Sequence, residues 1–286
     1  MKLIYYPGCS VKDYAKEYEE TAKAILREFN IELIELDRWN CCGVVYEYAS
    51  DAVMQHIAPL RNLIRAQEAS EKLNENKLVT LCSMCYNTLK KVNEIVINDP
   101  EKLQTLNEYM NEEPKYNCGI EVKHILEILM NEEIVGFSRI REKVKRDLSN
   151  LKVAPFYSCA LLRPKGMGID DPEDPHILSD LISSLGAKAI KFPYEKRCCG
   201  SYNVAYDRGI VEKTSSEIVK AAKRWGADMI ITTCPLCHYN LNLVKNKFNI
   251  PTIYFTELIA YSLNLEREIP QETLLILNSV IGGERK

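Results

Sequence analysis

Apolar and polar residues divide the chain into two kinds of segment. Short apolar runs of strand length, bounded by Gly, Pro or charged residues, are typical of strands buried on both faces of a sheet. These runs are Lys2–Tyr6, Ile31–Leu36, Leu78–Leu81, Pro155–Tyr157, Lys188–Phe192, Met229–Ile231 and Pro251–Phe255. The pattern therefore predicts a strand at each of these places.

Longer segments between the strands have apolar residues three or four positions apart, which is the spacing of one helix face. The clearest example is formed by Tyr14, Tyr18, Ala22, Ile25 and Phe29. Asp13 is the expected N-cap of that helix, because its carboxylate can accept a hydrogen bond from the first turn. Further helices are predicted at Tyr46–Leu73, Pro175–Leu185, Ile210–Trp225 and Leu236–Lys247.

Strands that alternate with helices of this length predict α/β units on mainly parallel sheets flanked by helices, in a Rossmann-like arrangement. In such sheets, ligands bind beyond the carboxyl ends of the strands. A cysteine follows four of the predicted strands: Cys9, Cys82, Cys159 and Cys234. We therefore expect the chemistry of the protein to lie at that edge of the sheets.

Length, charge and hydropathy narrow the class of protein. The chain has 286 residues, enough for two domains of about 140 residues each. Its formal net charge of −3 and its 8% of aromatic residues argue against nucleic acid as a partner. No apolar run approaches the roughly 20 residues of a membrane span, and residues 1–9 lack the features of a signal peptide. We expect a cytoplasmic protein without a membrane span.

Ten of the eleven cysteines form two sets of the same form, namely one Cys, then Cys-Cys-Gly, then Cys-x-x-Cys. The first set is Cys9, Cys41, Cys42, Cys82 and Cys85, and the second is Cys159, Cys198, Cys199, Cys234 and Cys237. This repeat predicts two duplicated domains, 1–150 and 151–286, related by pseudo-two-fold symmetry. Residues 87–113 form a polar helical segment of the first half with no clear counterpart in the second.

Such a density of thiols in an unexported chain favours metal or redox chemistry over structural disulfides. A zinc site takes four ligands in a tetrahedron, so five thiols are one too many. A dithiol redox site would suit Cys234-Pro235-Leu236-Cys237 but leaves three thiols of each set unexplained. An iron–sulfur cluster spreads its ligands over several irons and suits five thiols best, although the dense cysteine run of ferredoxins is absent.

The double pattern resembles the cysteine-rich, or CCG, domain that occurs twice in the B subunit of heterodisulfide reductase. The segment 151–159, with Leu162-Arg163-Pro164 and Asp170-Asp171-Pro172-Glu173, is similar to the heterodisulfide reductase branch in particular. The family also includes iron–sulfur subunits of glycolate, lactate and anaerobic glycerol-phosphate oxidoreductases, a thiol:fumarate reductase subunit and quinone-reductase subunits. The resemblance covers almost the whole chain.

The resemblance implies that each set of five cysteines binds one non-cubane 4Fe-4S cluster. The implied reaction is reduction of the mixed disulfide of coenzyme M and coenzyme B to two thiols, during methanogenesis. The implied partners are the ferredoxin-like and flavoprotein subunits of heterodisulfide reductase and, beyond them, a hydrogenase or formate dehydrogenase module. No Gly-x-Gly-x-x-Gly or P-loop motif accompanies a predicted strand, so we expect no flavin or nucleotide on this chain.

The implied substrate carries anionic groups, and its disulfide takes two electrons. Arg163 and Arg197 are candidate anion ligands, since arginine binds such groups with two parallel hydrogen bonds. His238 follows Cys237 directly and is a candidate proton donor to a leaving thiolate. Clusters pass one electron at a time, so we expect the duplicated halves to face each other with the disulfide between the two clusters, which are themselves the catalytic groups.

Two other functions stay open at this point. One is an electron-transfer iron–sulfur subunit of a related CCG-domain dehydrogenase or quinone reductase, in which the same clusters pass electrons onward. The other is a zinc-binding scaffold that organises partner subunits. Colour separates the last from the first two, because zinc sites are colourless and iron–sulfur sites are brown.

Overall fold

The computed structural model describes residues 1–44 and 53–282, and in them it has two four-stranded sheets whose strand pairs are all parallel. The first sheet consists of β1 (Lys2–Tyr6), β2 (Glu32–Glu35), β3 (Lys77–Thr80) and β4 (Glu121–His124). The second consists of β5 (Lys152–Phe156), β6 (Lys188–Ala189), β7 (Met229–Thr232) and β8 (Thr252–Tyr254). Their orders, β2-β1-β3-β4 and β6-β5-β7-β8, are equivalent. The predicted fold class, a duplicated α/β fold, is confirmed.

Helices connect the strands and cover the sheets. Those of the first half are α1 (Cys9–Asp13), α2 (Lys16–Arg27), α3 (Met54–Leu73), α4 (Ser83–Asn98), α5 (Pro100–Tyr109), α6 (Ile125–Met130) and α7 (Phe137–Lys143). Those of the second half are α8 (Cys159–Leu162), α9 (Ile177–Ser184), α10 (Arg208–Arg224), α11 (Pro235–Asn242), α12 (Lys245–Phe248), α13 (Phe255–Ser262) and α14 (Gln271–Ile281). Within the described ranges, no helix is long and apolar enough to cross a membrane.

The central strands are the ones that the apolar runs predict most clearly. Four of the five residues of β1 and every residue of β7 are buried, because helices lie against both faces of each sheet. The edge strand β2 begins and ends on an exposed glutamate. Since β1 pairs with β3 and β5 with β7, the carboxyl ends of the central strands lie side by side in each half.

The observed helices differ from the predicted ones at two places. Asp13 is not an N-cap: it is the last residue of α1, which starts at Cys9 directly after β1, and α2 begins only at Lys16. The apolar spacing continues across this break, so periodicity alone does not reveal it. The helix predicted over 236–247 is similarly divided into α11 and α12. The predicted start of α3 at Tyr46 lies outside the described residues.

The structure corrects two predictions for the first half. The segment 87–113 has a partial counterpart, because α4 begins just after Cys82 as α11 begins just after Cys234; what the first half adds is the rest of α4 and α5. Strand β4 has no counterpart among the predicted strands, since it alternates charged Glu121 and Lys123 with buried residues instead of forming an apolar run. It matches β8, and each of these strands leads directly into a helix, α6 or α13.

The two halves pack against each other through helices and buried polar groups. Helix α2 lies along α13, and α4 and α1 contact α8 and α11 respectively. The Tyr18 hydroxyl donates to the Thr233 carbonyl at 3.2 Å, and the Thr21 and Thr256 hydroxyls are 2.8 Å apart. The Ser83 hydroxyl donates to the same Thr233 carbonyl at 3.0 Å. Ser83, which follows Cys82, and Thr233, which precedes Cys234, thus form part of the contact between the halves.

The ring of His124 is fully buried in a neutral form. Its Nδ1 accepts from the Leu126 backbone N–H at 3.3 Å, so Nε2, 3.0 Å from the Leu81 carbonyl oxygen, carries the proton and donates. Burial lowers the pKa of His124 to about 4. The unfolded chain, with a pKa near 6.5, therefore binds the proton more readily, and this part of the stability is lost as the pH falls from about 6.5 through 4.

We expect His124→Asn to reduce the acid sensitivity of the fold. Between pH 7 and 5.5 the wild-type free energy of unfolding should fall by about 1 kcal/mol more than that of the variant. Asparagine keeps a side-chain acceptor at the start of α6 but does not titrate. Urea unfolding of anaerobically purified protein at both pH values measures this difference. Equal losses in the two proteins would contradict it.

Candidate metal centre

A cysteine follows each central strand, at the edge of the sheet where the halves meet. Cys9 and Cys159 are the first residues of α1 and α8, just beyond β1 and β5. Cys82 and Cys234 immediately precede α4 and α11, just beyond β3 and β7. The Cys-Cys-Gly pairs and the second cysteine of each Cys-x-x-Cys complete the group. All ten repeated cysteines are free thiols.

The ten thiols form one continuous series, which we call the thiol array. Each member affects the pKa of the next one in the series, and the Cys9 and Cys41 sulfurs, at one end, are 3.9 Å apart. The order along the array is Cys9, Cys41, Cys42, Cys85, Cys82, Cys234, Cys237, Cys199, Cys198 and Cys159. Each half contributes five consecutive members.

The middle of the thiol array is buried and its ends reach the surface. The six central thiols are buried, Cys9, Cys41 and Cys198 are exposed, and Cys159 is half-buried. The two halves join at Cys82 and Cys234, whose thiols are close enough to shift each other's pKa. The Ser83 and Thr233 hydroxyls, 3.2 Å apart, lie beside this junction. The duplicated sets therefore lie side by side and meet at one junction.

Three members of the array have a pKa below the ordinary thiol value. Hydrogen bonds from the two neighbours in the array are the main cause at Cys42, Cys234 and Cys198, where the pKa of Cys198 falls to about 2. The Gly200 backbone N–H, 3.4 Å from the Cys198 sulfur, contributes to the last of these. The pKa values of the other seven members are raised, mainly by interaction with a neighbouring thiol and by burial.

The donor set fits a polynuclear centre in each half. Among the described residues, no group of three or more His, Cys, Asp or Glu side chains is placed as the ligands of one metal ion would be, and the thiols form an extended array instead. A tetrahedral zinc site needs four ligands around one ion, whereas an iron–sulfur cluster uses thiolates spread over several irons. At Gly8 a side chain would have its Cβ 3.0 Å from the Cys85 sulfur, so bare backbone is needed beside this thiol.

Polar residues that the motifs do not include hold the first Cys-Cys-Gly turn. The buried Asn62 of α3 accepts from the Asn40 backbone N–H and donates to the Asn40 carbonyl, both at 3.0 Å. The Tyr6 hydroxyl donates to the same carbonyl at 2.8 Å, and Arg65 donates to the Asn40 side chain at 2.8 Å. Asn62 is 22 residues from Asn40 on a helix, and nothing in the local sequence marks it as a partner of the turn.

The second Cys-Cys-Gly turn is held differently. The buried Asn240 of α11 donates to the Cys199 sulfur at 3.4 Å and to the Ser201 carbonyl at 3.0 Å. Gly200 has a φ of 103°, and an added Cβ there would lie 2.9 Å from a methyl group of Val211. Asn240 stands one helical turn after Cys237, and that spacing was the one available signal for it in the sequence.

The candidate substrate and proton-transfer residues lie beside the thiols in the chain but have partners of their own. Arg163 is 3.6 Å from Glu173, and Arg197 is 2.7 Å from Glu217 and stacks over the Tyr194 ring. The Nε2 atom of His238 is 3.1 Å from the Thr252 carbonyl oxygen. The His238 ring stacks on Tyr254 at 4.1 Å, and burial lowers its pKa to about 4. His238 is therefore neutral at pH 7.

The comparison with protein families matches this arrangement of cysteines. The model of the cysteine-rich domain, CCG, matches twice, over residues 3–90 and 153–242. The chain belongs to the CCG cysteine-rich domain family. Each match includes one complete half of the thiol array. The CCG domain is thus duplicated in this chain, as the two equivalent sheets also indicate.

Curated relatives of this CCG protein align over almost their whole length. The 8-methylmenaquinol:fumarate reductase membrane anchor subunit of Wolinella succinogenes is 28% identical over 99% of this chain and 98% of its own. The B subunit of the ferredoxin:CoB-CoM heterodisulfide reductase of Methanosarcina mazei is 27% identical over 92% and 89%. A protein of Archaeoglobus profundus named as similar to the B subunit of heterodisulfide reductase is 26% identical over 94% and 92%.

Among solved structures, a hypothetical protein from Helicobacter pylori has the same fold. Its TM-score is 0.70 at 15% sequence identity, and the match covers 93% of this chain and 50% of that one. At this identity the likeness concerns the fold alone. The named relatives are a subunit of a fumarate reductase, a subunit of a heterodisulfide reductase and a protein similar to the latter.

Proposed function

We propose that the chain is the catalytic iron–sulfur subunit of a heterodisulfide reductase. It reduces the mixed disulfide of coenzyme M and coenzyme B to two thiols at two non-cubane 4Fe-4S clusters. The observation that carries this proposal is the junction of the two five-cysteine sets at Cys82 and Cys234. The heterodisulfide reductase relatives, aligned over about nine tenths of the chain, support the same assignment.

The residues that would hold the clusters are the two halves of the thiol array. The first cluster would bind Cys9, Cys41, Cys42, Cys82 and Cys85, and the second Cys159, Cys198, Cys199, Cys234 and Cys237. When bound, the clusters supply one-electron redox chemistry. The chain itself supplies the thiolates, bare backbone at Gly8 and a buried junction from which the packed halves exclude water.

Two thiol sets that meet at one junction suit a disulfide because of the number of electrons that its cleavage takes. Cleaving one S–S bond to two thiols takes two electrons and two protons. The junction brings one five-thiol set from each half to the same place, so both electrons can be supplied around one bond. The exposed ends of the array, at Cys9, Cys41 and Cys198, are where an electron-donating protein can approach from solvent.

Arg163 and Arg197 are the proposed ligands for the anionic groups of the substrate. Arg163 is exposed beside Glu173, and Glu173 is also 3.8 Å from Lys196, so a bound anion would compete with a carboxylate for two cations. Arg197 adjoins Cys198 and would have to exchange Glu217 for the substrate. The proton-donor role proposed for His238 requires its ring to leave the Thr252 carbonyl.

The proposed partners follow from the electron supply. The ferredoxin-like subunit of heterodisulfide reductase would deliver electrons from the flavoprotein subunit, with a hydrogenase or formate dehydrogenase module as the ultimate source. The relatives' names support a multi-subunit assembly, since each is named as a subunit or as similar to one. No flavin or nucleotide is proposed on this chain.

The second candidate is an electron-transfer subunit of a CCG-domain quinone or fumarate reductase. The fumarate reductase relative, which aligns over 99% of this chain, supports it. Turnover of the mixed disulfide with an artificial one-electron donor separates the two functions. A catalytic subunit reduces the disulfide under these conditions, whereas an electron-transfer subunit only accepts and releases electrons.

Metal analysis of protein purified without oxygen tests whether the proposed clusters are present. We expect about eight irons and eight acid-labile sulfides per chain, and a new EPR signal when a substrate thiol is added under oxidising conditions. Stoichiometric zinc with no iron would contradict the proposal and favour a structural scaffold. The colour of the protein gives the same answer, brown for iron–sulfur and colourless for zinc.

A further inference from the structure

The two Cys-Cys-Gly turns donate backbone hydrogen bonds to their thiols in the same way. In the first half, the Gly43 and Val44 backbone N–H groups interact with Cys41 and Cys42. In the second half, the Gly200 N–H is 3.4 Å from the Cys198 sulfur, and the Ser201 N–H interacts with Cys199. These matched donors act alike in both halves, so they cannot distinguish the two sites.

A side-chain amide at the buried centre of the second half breaks this symmetry. The Nδ2 atom of Asn240 lies 3.4 Å from the Cys199 sulfur and 3.0 Å from the Ser201 carbonyl oxygen. A carbonyl oxygen only accepts, so the atom facing it is the NH2 group and the orientation of the amide is determined. Asn240 is 0% exposed, and its Oδ1 has no partner among the described residues.

The matched position of the first half lacks such an amide. Asn240 stands three residues after Cys237, and three residues after Cys85 the first half has Thr88. Thr88 is buried on α4, and its hydroxyl has no hydrogen-bond partner among the residues described. The first half instead has the Ser10 hydroxyl against Cys9, at the exposed end of the array. Water weakens a hydrogen bond there, whereas the interior strengthens it.

Hydrogen bonds to the ligand sulfurs are one of the determinants of an iron–sulfur reduction potential. Reduction adds one electron, and therefore one negative charge, to the cluster and its thiolates. An N–H group that points at a ligand sulfur stabilises the more negative state. A buried donor acts in a low-dielectric surrounding and so has a larger effect than an exposed one.

We propose that Asn240 raises the reduction potential of the second-half cluster through its hydrogen bond to Cys199 and so makes the two clusters inequivalent. This inference rests on the proposed function, because it requires a cluster on the second-half thiols. Asn240 is a positioning and tuning residue and not a ligand. One electron is taken up from the partner protein or an artificial donor, and no covalent bond forms or breaks in this step.

The test is a redox titration of anaerobically purified protein, followed by EPR. Asn240→Thr gives the second half the residue that the first half has, and Asn240→Leu removes all hydrogen bonding at similar volume. The second-half signal is identified as the one that persists in a Cys41→Ala, Cys42→Ala background. Thr88→Val is the matched control, because it removes a buried hydroxyl that has no partner in the described structure.

We expect both Asn240 variants to keep their iron and to lower the potential of the second-half cluster alone. At a fixed potential its reduced-to-oxidised ratio should fall about tenfold, which corresponds to 59 mV for one electron. Thr88→Val should leave both potentials unchanged. Unchanged potentials in Asn240 variants with full iron content would overturn the inference and leave the proposed function intact.

Two further outcomes would also contradict the tuning role of Asn240. If both Asn240 variants lose the second-half iron and sulfide, the amide is needed for assembly, and the tuning role is wrong. If wild-type protein contains no iron and sulfide at all, the proposed function fails and this inference fails with it. Iron content therefore reports on the function, and the potential at full iron content reports on Asn240.

Discussion

Cys42→Ala and Cys199→Ala are each expected to abolish disulfide turnover. Each substitution removes a buried thiol, a proposed cluster ligand, from a different half of the thiol array. Disulfide cleavage takes two electrons, and we propose that one cluster from each half is needed to supply them around one bond. The rate of disulfide reduction with an artificial one-electron donor measures the effect, and the iron content of each variant should fall from about eight to about four per chain.

Cys118→Ala is the matched control for these variants. Cys118 is a half-buried free thiol outside the thiol array, so its loss should leave both iron content and turnover close to wild type. Full activity in Cys42→Ala or Cys199→Ala with one cluster missing would exclude the two-cluster reaction. Loss of activity in Cys118→Ala would mean that cysteine substitutions act through general destabilisation.

Gly8→Ala is expected to remove the first-half cluster and leave the rest of the chain folded. Gly8 has a φ of 75° and a ψ of 161°, a conformation that is essentially restricted to glycine and costs other residues about 1–3 kcal/mol. The added Cβ would also lie 3.0 Å from the Cys85 sulfur, and a Cys85 that binds iron, as we propose, could not move away from it. Iron and acid-labile sulfide should fall by about half.

Gly186→Ala separates backbone strain from this clash. Gly186 has a comparable φ of 82°, but nothing lies within 4 Å of an added Cβ. It should lose stability to urea, as Gly8→Ala does, while keeping its full iron content. If Gly8→Ala also keeps full iron, close approach at Gly8 does not matter for the site, and the assignment of Cys85 as a ligand is weakened.

The alternation of apolar runs and helical segments predicted the architecture because it reflects local burial. A strand covered on both faces needs a mainly apolar run, and β1, β3, β5 and β7 have one. The same criterion fails for β4, where Glu121 and Lys123 alternate with buried residues at the edge of the sheet. It also fails at the break between α1 and α2, because apolar spacing continues through the turn after Asp13.

The cysteine spacing by itself determined that there are two equivalent five-thiol sets and therefore two equivalent domains. Covalent order along the chain is sufficient for this, since a duplicated motif is visible wherever the copies lie in space. It also assigned four of the cysteines to the carboxyl ends of strands, because strand and cysteine are adjacent in the chain.

Only the tertiary structure decided that the two sets meet. Cys82 and Cys234 are 234 − 82 = 152 residues apart, and their contact depends on how α2, α4, α8 and α13 pack between the halves. The same holds for Asn62 at the first Cys-Cys-Gly turn and Asn240 at the second. Local sequence patterns show the spacing of the buried residues in each segment, but not which distant segment covers them.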